Sequence, residues 1–357
     1  MPQPSPPAKK GRAAGYNTPN RFETLHLEPD PLELDDEDYK EKVPTQFLVD
    51  SSKSILAENN SPDVGFRFSL NPYRGCEHGC TYCYARPTHE YLGFSAGLDF
   101  ETRILVKEDA PDLLRDAFRR KSWTPQVVAL SGNTDCYQPV ERRLEITRKC
   151  LQVFLEFRNP VTIITKNALI TRDLDILQEL ARLDLVHVTL SITSLKRALT
   201  AMMEPRTSRP EKRLAAIANL HQAGVPAGVN VAPLIPGLND EEVPAILEAS
   251  AAHGAQWANY IMVRLPGAVK PLFIDWLQRN MPDRAGKIVR RLQAVREGEL
   301  SDPRFGSRMR GEGELADVVA SFFQLSRRRY GLENRHYELA TDRFRRTGHN
   351  QLSLFDP

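Results

Sequence analysis

The stretch FRFSLNPYRGCEHGCTYCYAR, residues 66–86, joins a short apolar run to a loop that contains three cysteines, Cys76, Cys80 and Cys83. The apolar and aromatic run at residues 66–70 is typical of a buried strand. The cysteines would then follow the carboxyl end of a strand, where barrels of parallel strands place their active sites. The stretch therefore predicts both a strand and a functional loop.

Five further apolar runs follow, separated by stretches with helical periodicity, and after the first of them they recur at intervals of roughly 30 residues. They occupy residues 127–131, 161–165, 186–191, 227–232 and 259–263. Strands that alternate with helices pair in parallel, and continuous Val/Ile-rich strands are buried on both faces of a sheet. Because no dinucleotide-binding glycine fingerprint accompanies the repeat, it predicts an α/β barrel, open or closed, rather than a Rossmann fold.

The three cysteines have the spacing C-x3-C-x2-C. Three thiolates can hold three irons of a four-iron four-sulfur cluster and leave the fourth iron open to a chelating ligand. The alternative is a zinc site completed by His78 or His89, since tetrahedral zinc accepts three cysteines and one histidine. No second C-x2-C knuckle exists in the chain, so the pattern favours the cluster.

This spacing resembles that of the radical S-adenosylmethionine (SAM) superfamily, and the resemblance covers about residues 66–300. It implies a partial (β/α)6 TIM-type barrel in which SAM chelates the open iron. It also implies that one electron cleaves the sulfonium of SAM to give a 5′-deoxyadenosyl radical that abstracts hydrogen. Tyr82 would lie against the adenine, and a flavodoxin or ferredoxin would supply the electron.

The run SGNTDCYQPVE, residues 131–141, resembles the spore photoproduct lyase branch and its DNA repair photolyase-type relatives. In that branch a hydroxyl residue before an aspartate, a lysine after the third strand and a serine ending the fourth help to hold SAM. The resemblance thus implies cofactor-binding roles for Thr134, Asp135, Lys166 and Ser191. For Lys166, an ordinary solvated lysine at a strand end is an equally good interpretation.

Glu204 and Arg206 follow the fourth strand of the predicted barrel and could partner ribose hydroxyls and a carboxylate of the cofactor, or form a surface ion pair. Pro233, Pro236 and Gly237 follow the fifth, in a stiff turn that could let the backbone approach adenine or could be a plain loop.

Cys136 is a candidate catalytic residue, but its position in the sequence does not match the position expected from the resemblance. The lyases keep a hydrogen-donor cysteine in this segment, and the match that assigns Thr134 puts the donor position near Gly132. Cys136 is therefore either a coincidental donor or a packed thiol, and Cys150, inside a helical pattern, is expected in the core. The resemblance leaves the lyase reaction itself open.

The two ends of the chain differ in amino-acid composition from the predicted barrel. Residues 1–64, proline-rich and basic and then acidic, predict an irregular arm, whereas the core spans residues 65–300. Residues 301–350 predict an Arg-rich helical extension. Its aromatic residues Tyr330, Tyr337 and Phe344 are expected to cover the barrel, and its arginines to contact nucleic acid.

The final apolar cluster resembles the pentapeptide by which bacterial replication and repair proteins bind the sliding clamp, and it consists of Gln351, Leu352, Ser353, Leu354 and Phe355. A mobile peptide could place these leucines and the phenylalanine in an apolar pocket of a partner. The competing interpretation is a last strand that packs on the protein's own surface.

Composition limits the remaining options. The formal net charge of +2 does not by itself indicate a nucleic-acid partner, and five cysteines, three of them within eight residues, do not suit a disulfide framework. No run of eighteen apolar residues and no secretory signal occurs, so we expect a cytoplasmic protein without membrane association.

Together these features predict a radical SAM enzyme that acts on DNA, in lesion repair or base modification. Modification of RNA or of a protein side chain is the second enzymatic reading. A zinc-stabilised module that binds DNA or the clamp without chemistry is the alternative of another class.

Overall fold

The computed structural model of the protein describes residues 9–23, 43–333 and 338–346. These residues contain ten strands, which are β1 (Gln46–Val49), β2 (Leu56–Glu58), β3 (Phe68–Leu70), β4 (Tyr73–Arg74), β5 (Arg103–Val106), β6 (Val128–Leu130), β7 (Val161–Thr165), β8 (Val186–Ser191), β9 (Ala227–Leu234) and β10 (Ala258–Met262).

The larger sheet contains β3 and β6 to β10 as six parallel strands in chain order, and β2 pairs antiparallel with the outer edge of β3. In the described part of the chain, the outer strands β2 and β10 do not pair with each other, so the sheet stays open. All six predicted strands are present, and the predicted fold, an α/β partial barrel, is confirmed.

A second sheet of three strands has β5 in the middle, parallel to β1 and antiparallel to β4. The strands β1 and β2 lie in the segment that the sequence predicts to be irregular. That expectation is corrected for these seven residues, which take part in the two sheets. Both strands are short and lie at sheet edges, which explains the weak sequence signal.

Twelve α-helices occur in the described residues: α1 (Leu98–Thr102), α2 (Ala110–Arg119), α3 (Glu141–Leu144), α4 (Ile146–Phe157), α5 (Leu174–Arg182), α6 (Arg197–Met203), α7 (Pro210–Gln222), α8 (Val243–Ala252), α9 (Val269–Asn280), α10 (Pro282–Ala294), α11 (Ser307–Arg310) and α12 (Glu314–Arg329). Short 3-10 helices occupy Arg86–Leu92, Ala168–Asp173 and Asp240–Glu242. Across these ranges, none of the helices is long and apolar enough to cross a membrane.

The two faces of the parallel sheet differ in polarity because side chains alternate along a strand. Val186, Val188 and Leu190 of β8 belong to the main hydrophobic core. Ser191 projects from the opposite face, as does Asn230 of β9, with which it is in register. The inner face of the partial barrel therefore offers polar groups, while the outer face packs against helices.

The C-terminal segment packs against the barrel at the amino ends of its strands. The Ala340 amide donates to the Asp184 carbonyl, just before β8, at 2.9 Å, and Phe344 lies 6.1 Å from the ring of Phe118. Tyr330 and Phe344 both pack against the main core, as predicted for the aromatic residues of this extension. Tyr337 and the pentapeptide 351–355 lie outside the described residues.

Two C-terminal arginines form contacts within the protein, and the contact of the C-terminal arginines with nucleic acid stays a prediction. Arg343 pairs with Asp184 at 3.1 Å, and Arg346 donates to the carbonyl groups of Phe118 and Trp123. These partners precede strands, so the two arginines lie at the edge of the sheet opposite the cysteine loop.

One contact connects the two open edges of the larger sheet. Asp63, in the loop between β2 and β3, accepts hydrogen bonds from the Gly306 amide at 2.6 Å and from the Arg308 guanidinium. Arg308 belongs to α11, which packs on β10. The side chains of Asp63 and Arg308 and the amide of Gly306 thus bridge the gap between the outer strands β2 and β10.

Candidate active site

The cysteine loop follows β3 and β4 at the carboxyl end of the barrel. Cys76 and Cys80 are buried, and Cys83 is half-buried. Burial raises the pKa of both Cys76 and Cys80, and each of these pKa values is raised further by the charge of Cys83. Such thiols give up their protons when a metal centre neutralises the thiolates, which suits an iron–sulfur cluster.

The arrangement of donors fits a cluster better than zinc. Among the described residues, no three His, Cys, Asp or Glu side chains converge as ligands of a single ion. A cubane cluster does not need such convergence, because each cysteine binds a different iron.

Of the two histidines of the zinc alternative, His78 contacts other side chains with both ring nitrogens, whereas His89 uses Nε2 and its buried Nδ1 has no hydrogen-bond partner among the described residues. His78 lies between Asp135, 3.4 Å from Nδ1, and Asn167, 3.2 Å from Nε2. His89 is fully buried, and its Nε2 forms a hydrogen bond of 3.0 Å with the Arg103 carbonyl.

Gln138, in the loop after β6, holds the cysteine loop in place. Its Oε1 accepts a hydrogen bond from the Glu77 amide at 2.8 Å, and its Nε2 donates to the Gly75 carbonyl at 3.2 Å. The sequence analysis missed this residue, because a glutamine near a helix start has no signal of its own.

Tyr82, Glu204 and Arg213 form a buried network beneath the loop. The Tyr82 hydroxyl and the Arg213 guanidinium both donate to the Glu204 carboxylate, which also accepts from Thr193 Oγ1 at 2.5 Å. Burial alone would raise the pKa of Glu204, but Arg213 and Lys166 bring this pKa down to about 2. Glu204 is thus a buried internal counterion that fixes Tyr82, which corrects the surface ion pair, while its contact with the ribose stays a prediction.

Lys166 lies directly after β7, between Ala232 of β9 and the ring of Tyr82 in the cysteine loop. Its Nζ donates to the Ala232 carbonyl at 2.9 Å and is 5.9 Å from the centroid of the Tyr82 ring. It has no carboxylate within ion-pair distance in the described residues. The amine is therefore placed to receive an anionic group near the cysteine loop.

Asp135 connects the carboxyl ends of β6 and β7. Its carboxylate accepts hydrogen bonds from the Lys166 amide at 2.8 Å and from Thr165 Oγ1 at 2.7 Å. Burial opposes ionisation, but the nearby His78 and these hydrogen bonds lower the pKa of Asp135 to about 2. Thr134 also bonds within the protein, since its hydroxyl donates to the Tyr73 carbonyl at 2.7 Å. Both side chains act in the structure as anchors of this loop.

Ser191 and Asn230 place polar groups on the inner face next to Lys166. The Asn230 side chain is buried, and among the described residues its Oδ1 has no hydrogen-bond partner. A buried amide without a partner is unfavourable, so this atom suits a bound ligand. The sequence analysis missed Asn230, although a polar residue inside the valine-rich run AGVNVA was a usable signal.

Arg206 lies beside the cysteine loop. It pairs with Glu77 of the cysteine loop at 3.0 Å and donates to Thr45 Oγ1 at 3.2 Å. Arg206 is thus part of an ion pair at the cysteine loop, and its contact with the cofactor stays a prediction. In the turn after β9, Gly237 has φ +84° and donates its amide to Asp240 Oδ1 at 2.8 Å.

Cys136 is fully buried in the main hydrophobic core, together with Cys150. Burial raises the pKa of the Cys136 thiol well above its ordinary value. This position corrects the suggestion of a catalytic role, since a thiol enclosed by core residues cannot meet a substrate. Cys150 was expected in the core, and that expectation is confirmed.

Tyr84 is a site residue that the sequence analysis missed. Its hydroxyl donates a hydrogen bond of 2.6 Å to the carbonyl of Gly132, and 46% of the side chain is exposed. The Arg264 guanidinium stacks on the ring, 5.5 Å from the centroid. The available signal was its position directly after Cys83.

The sequence model of the Radical SAM superfamily matches residues 70–249. An uncharacterized protein of Mycobacterium tuberculosis is 36% identical over 265 residues, which cover 74% of this chain and 76% of that protein. An uncharacterized protein of Methanocaldococcus jannaschii is 29% identical over 178 residues, which cover 50% of this chain and 64% of that protein.

Among solved structures, a spore photoproduct lyase complexed with dinucleoside spore photoproduct has a TM-score of 0.57 and 16% sequence identity, and the match covers 80% of this chain and 79% of the lyase. A mutant of spore photoproduct lyase has a TM-score of 0.58 with 17% identity and the same coverage. These similarities confirm a lyase-like fold. By the match to the family model, this chain belongs to the radical SAM superfamily and is a radical SAM enzyme, and its fold is similar to that of spore photoproduct lyase.

Proposed function

We propose that Cys76, Cys80 and Cys83 hold a four-iron four-sulfur cluster, that the adjoining pocket binds SAM, and that the enzyme acts on nucleic acid. The observation that carries this proposal is the position of the cysteine loop, at the carboxyl ends of six parallel strands. When bound, the cluster and SAM supply a 5′-deoxyadenosyl radical that abstracts hydrogen.

The residues beside the loop have the chemistry to bind SAM. The Lys166 amine can pair with the carboxylate of the cofactor, because a compact ammonium group is a good partner for such an anion. Tyr82 offers an aromatic face whose position is fixed by Glu204. Ser191 and Asn230 offer a hydroxyl and an amide from two neighbouring strands.

The substrate proposal is carried by the exposed ring of Tyr84 and the guanidinium of Arg264 stacked on it. Such a pair can stack on a nucleobase and attract a phosphate. A solved structure of similar fold is a spore photoproduct lyase complexed with dinucleoside spore photoproduct, which supports DNA as the first substrate to test. RNA and protein side chains are the outcomes that would replace it.

The first experiment is anaerobic reconstitution with iron and sulfide, followed by assays of bound metal and of 5′-deoxyadenosine formed from SAM with dithionite. We expect about four irons per chain in the wild type. Cys80→Ala should lose iron and SAM cleavage, whereas Cys150→Ala, a buried cysteine outside the loop, should keep both. Bound zinc together with intact SAM would overturn the proposal.

The second experiment compares SAM cleavage in the presence of ultraviolet-irradiated DNA, undamaged DNA, RNA and unfolded protein, with a flavodoxin or ferredoxin as the electron donor. Selective stimulation by damaged DNA, with loss of the lesion, supports lesion repair. Stimulation by undamaged DNA supports base modification. Stimulation by RNA or protein alone would move the substrate to that class.

Binding to the sliding clamp remains a prediction from the sequence QLSLF. A pull-down with purified clamp should retain the full chain and lose a chain that is cut after Asn350. Equal retention of both chains, or of neither, would contradict it.

A further inference from the structure

Residues 12–20, named here the N-terminal strap, lie against the segment that follows the cysteine loop. The amides of Ala13 and Ala14 donate to the carboxylate of Glu101 at 3.3 and 3.0 Å. The Tyr16 carbonyl accepts from the Leu98 amide at 3.2 Å. Near the other end, Asn20 and Thr18 bond to residues 90–95. The strap is thus attached along its whole length.

Glu101 connects the strap to a cysteine. It is fully buried, and it pairs with Arg86, which is also fully buried, at 2.5 Å. The Arg86 guanidinium also donates to the carbonyl of Cys80, from Nη2 at 2.9 Å and from Nε at 3.0 Å. A continuous chain of hydrogen bonds therefore runs from the strap through one carboxylate and one guanidinium to a predicted cluster ligand.

Arg12 gives the strap a second connection to the same loop. Its guanidinium donates to Thr45 Oγ1 at 2.8 Å, and the Thr45 hydroxyl donates to Glu77 at 3.3 Å. Glu77 lies next to Cys76 in the chain. Arg12 also donates to the Glu101 carbonyl at 2.7 Å, so the two connections meet at the same residue.

Two glycines permit the close packing of these parts. A Cβ atom on Gly97 would lie 2.2 Å from the Tyr16 carbonyl oxygen, and one on Gly79 would lie 2.6 Å from Glu101 Oε2. Gly79 lies between the first two cysteines of the loop. Both the strap and the loop are therefore in direct contact with the segment around Glu101, which leaves no room for larger side chains.

We propose that the N-terminal strap is part of the cluster site and that Glu101 is a positioning residue for Cys80. This inference rests on the proposed function, and it goes beyond it by assigning a role to the N-terminal arm. Glu101 fixes Arg86, Arg86 fixes the Cys80 carbonyl, and the backbone so held sets the direction of the Cys80 thiolate. Groups that orient metal ligands in this way affect metal retention strongly.

Glu101→Gln tests the positioning role without touching a cysteine. The glutamine fills the same volume, but it leaves the buried charge of Arg86 without its counterion. Glu90→Gln is the matched control, because Glu90 is also buried and pairs with Arg21 at 3.1 Å. The hydrogen bonds of Arg86 do not include Glu90.

The readouts are the rate of iron release to a chelator, the electron paramagnetic resonance spectrum of the reduced cluster and the far-ultraviolet circular dichroism. For Glu101→Gln we expect release at least about tenfold faster, a changed resonance spectrum and an unchanged dichroism. Glu90→Gln should match the wild type. If Glu101→Gln releases iron at the wild-type rate with an unchanged spectrum, the positioning role is wrong.

Truncation tests the strap itself. Removal of residues 1–8 should leave iron release unchanged, whereas removal of residues 1–20 should accelerate it, and a synthetic peptide of residues 9–23 should slow it again. Equal rates in both truncated chains would overturn the strap proposal alone. A wild-type protein that never binds iron would instead overturn the proposed function, and the strap proposal with it.

Discussion

The hydroxyl group of Tyr84 donates a hydrogen bond to the carbonyl oxygen of Gly132, with 2.6 Å between the two oxygen atoms. Gly132 is near the position at which the lyase resemblance predicts a hydrogen-donor cysteine. In this chain a Cβ atom on Gly132 would lie 2.8 Å from the Cβ atom of Ser69, so a cysteine side chain does not fit there, and the phenol of Tyr84 lies beside the glycine. A phenolic O–H group at this position can supply the hydrogen atom that a thiol would otherwise supply.

Tyr84→Phe should therefore lower product formation on the nucleic-acid substrate by at least about tenfold, a change in barrier of about 1.4 kcal/mol. Iron content and the cleavage of SAM should stay as in the wild type. Tyr91→Phe, at a side chain that is 70% exposed, is the control. Product formed by Tyr84→Phe at the wild-type rate would exclude Tyr84 as the donor.

Lys166→Met should weaken SAM binding by about ten- to a hundredfold, because a hydrogen bond to a charged group contributes about 1.5–3 kcal/mol. Equilibrium dialysis of reconstituted protein measures this change. The control is Lys196→Met, which removes an exposed lysine that pairs with Glu241. Equal affinities for SAM in Lys166→Met and wild type would show that this amine does not bind the carboxylate.

Arg213→Met should destabilise the protein by about 3–5 kcal/mol, since it leaves the buried Glu204 without its counterion. Both side chains of this ion pair are fully buried. Arg197→Met is the matched control, because its pair with Glu211 is 67% and 47% exposed and should contribute less than about 1 kcal/mol. Urea unfolding of the two variants distinguishes these effects, and equal losses would contradict the buried network.

The stability of the protein should fall as the pH is lowered from about 4.5 towards about 2, in part through Glu204. Its pKa in the folded chain is about 2, because burial is outweighed by Arg213, Lys166, Thr193 and Tyr82. In the unfolded chain the pKa of a glutamate is about 4.3, so protonation favours unfolding in this range.

Urea midpoints for wild type and Glu204→Gln, measured between pH 6 and pH 3, would test this dependence. The curve of the variant should be flatter, with the remaining slope due partly to Asp135, whose pKa is also about 2. Parallel curves would show that Glu204 is not the group responsible.

The sequence predicted the parallel strands because their Val/Ile-rich runs report burial on both faces. It could not predict the division between α3 and α4, where Glu145 has a φ of +53° inside an otherwise helical pattern. A residue in this left-handed conformation ends a helix, yet glutamate is common within helices.

The site was predictable where residues follow a local pattern and not where distant residues meet. The cysteines and Lys166 follow strands directly, whereas Glu101 bonds to Ala13, 88 residues away. Similarly, Tyr82 bonds to Glu204 across 122 residues. Such pairs leave no periodic pattern in the sequence. Only the folded chain shows that Glu204 accepts a hydrogen bond from Tyr82 and that Glu101 accepts one from Arg86.

The contact between Asp63 and Arg308 has a consequence for access to the interior. It spans the opening between the two edge strands with side chains and a single amide, where a closed barrel would have a ladder of backbone hydrogen bonds. Separating these few groups leaves every strand pair intact. The nucleic acid proposed as substrate could then approach the inner face of the sheet from the side, without being threaded by one of its ends.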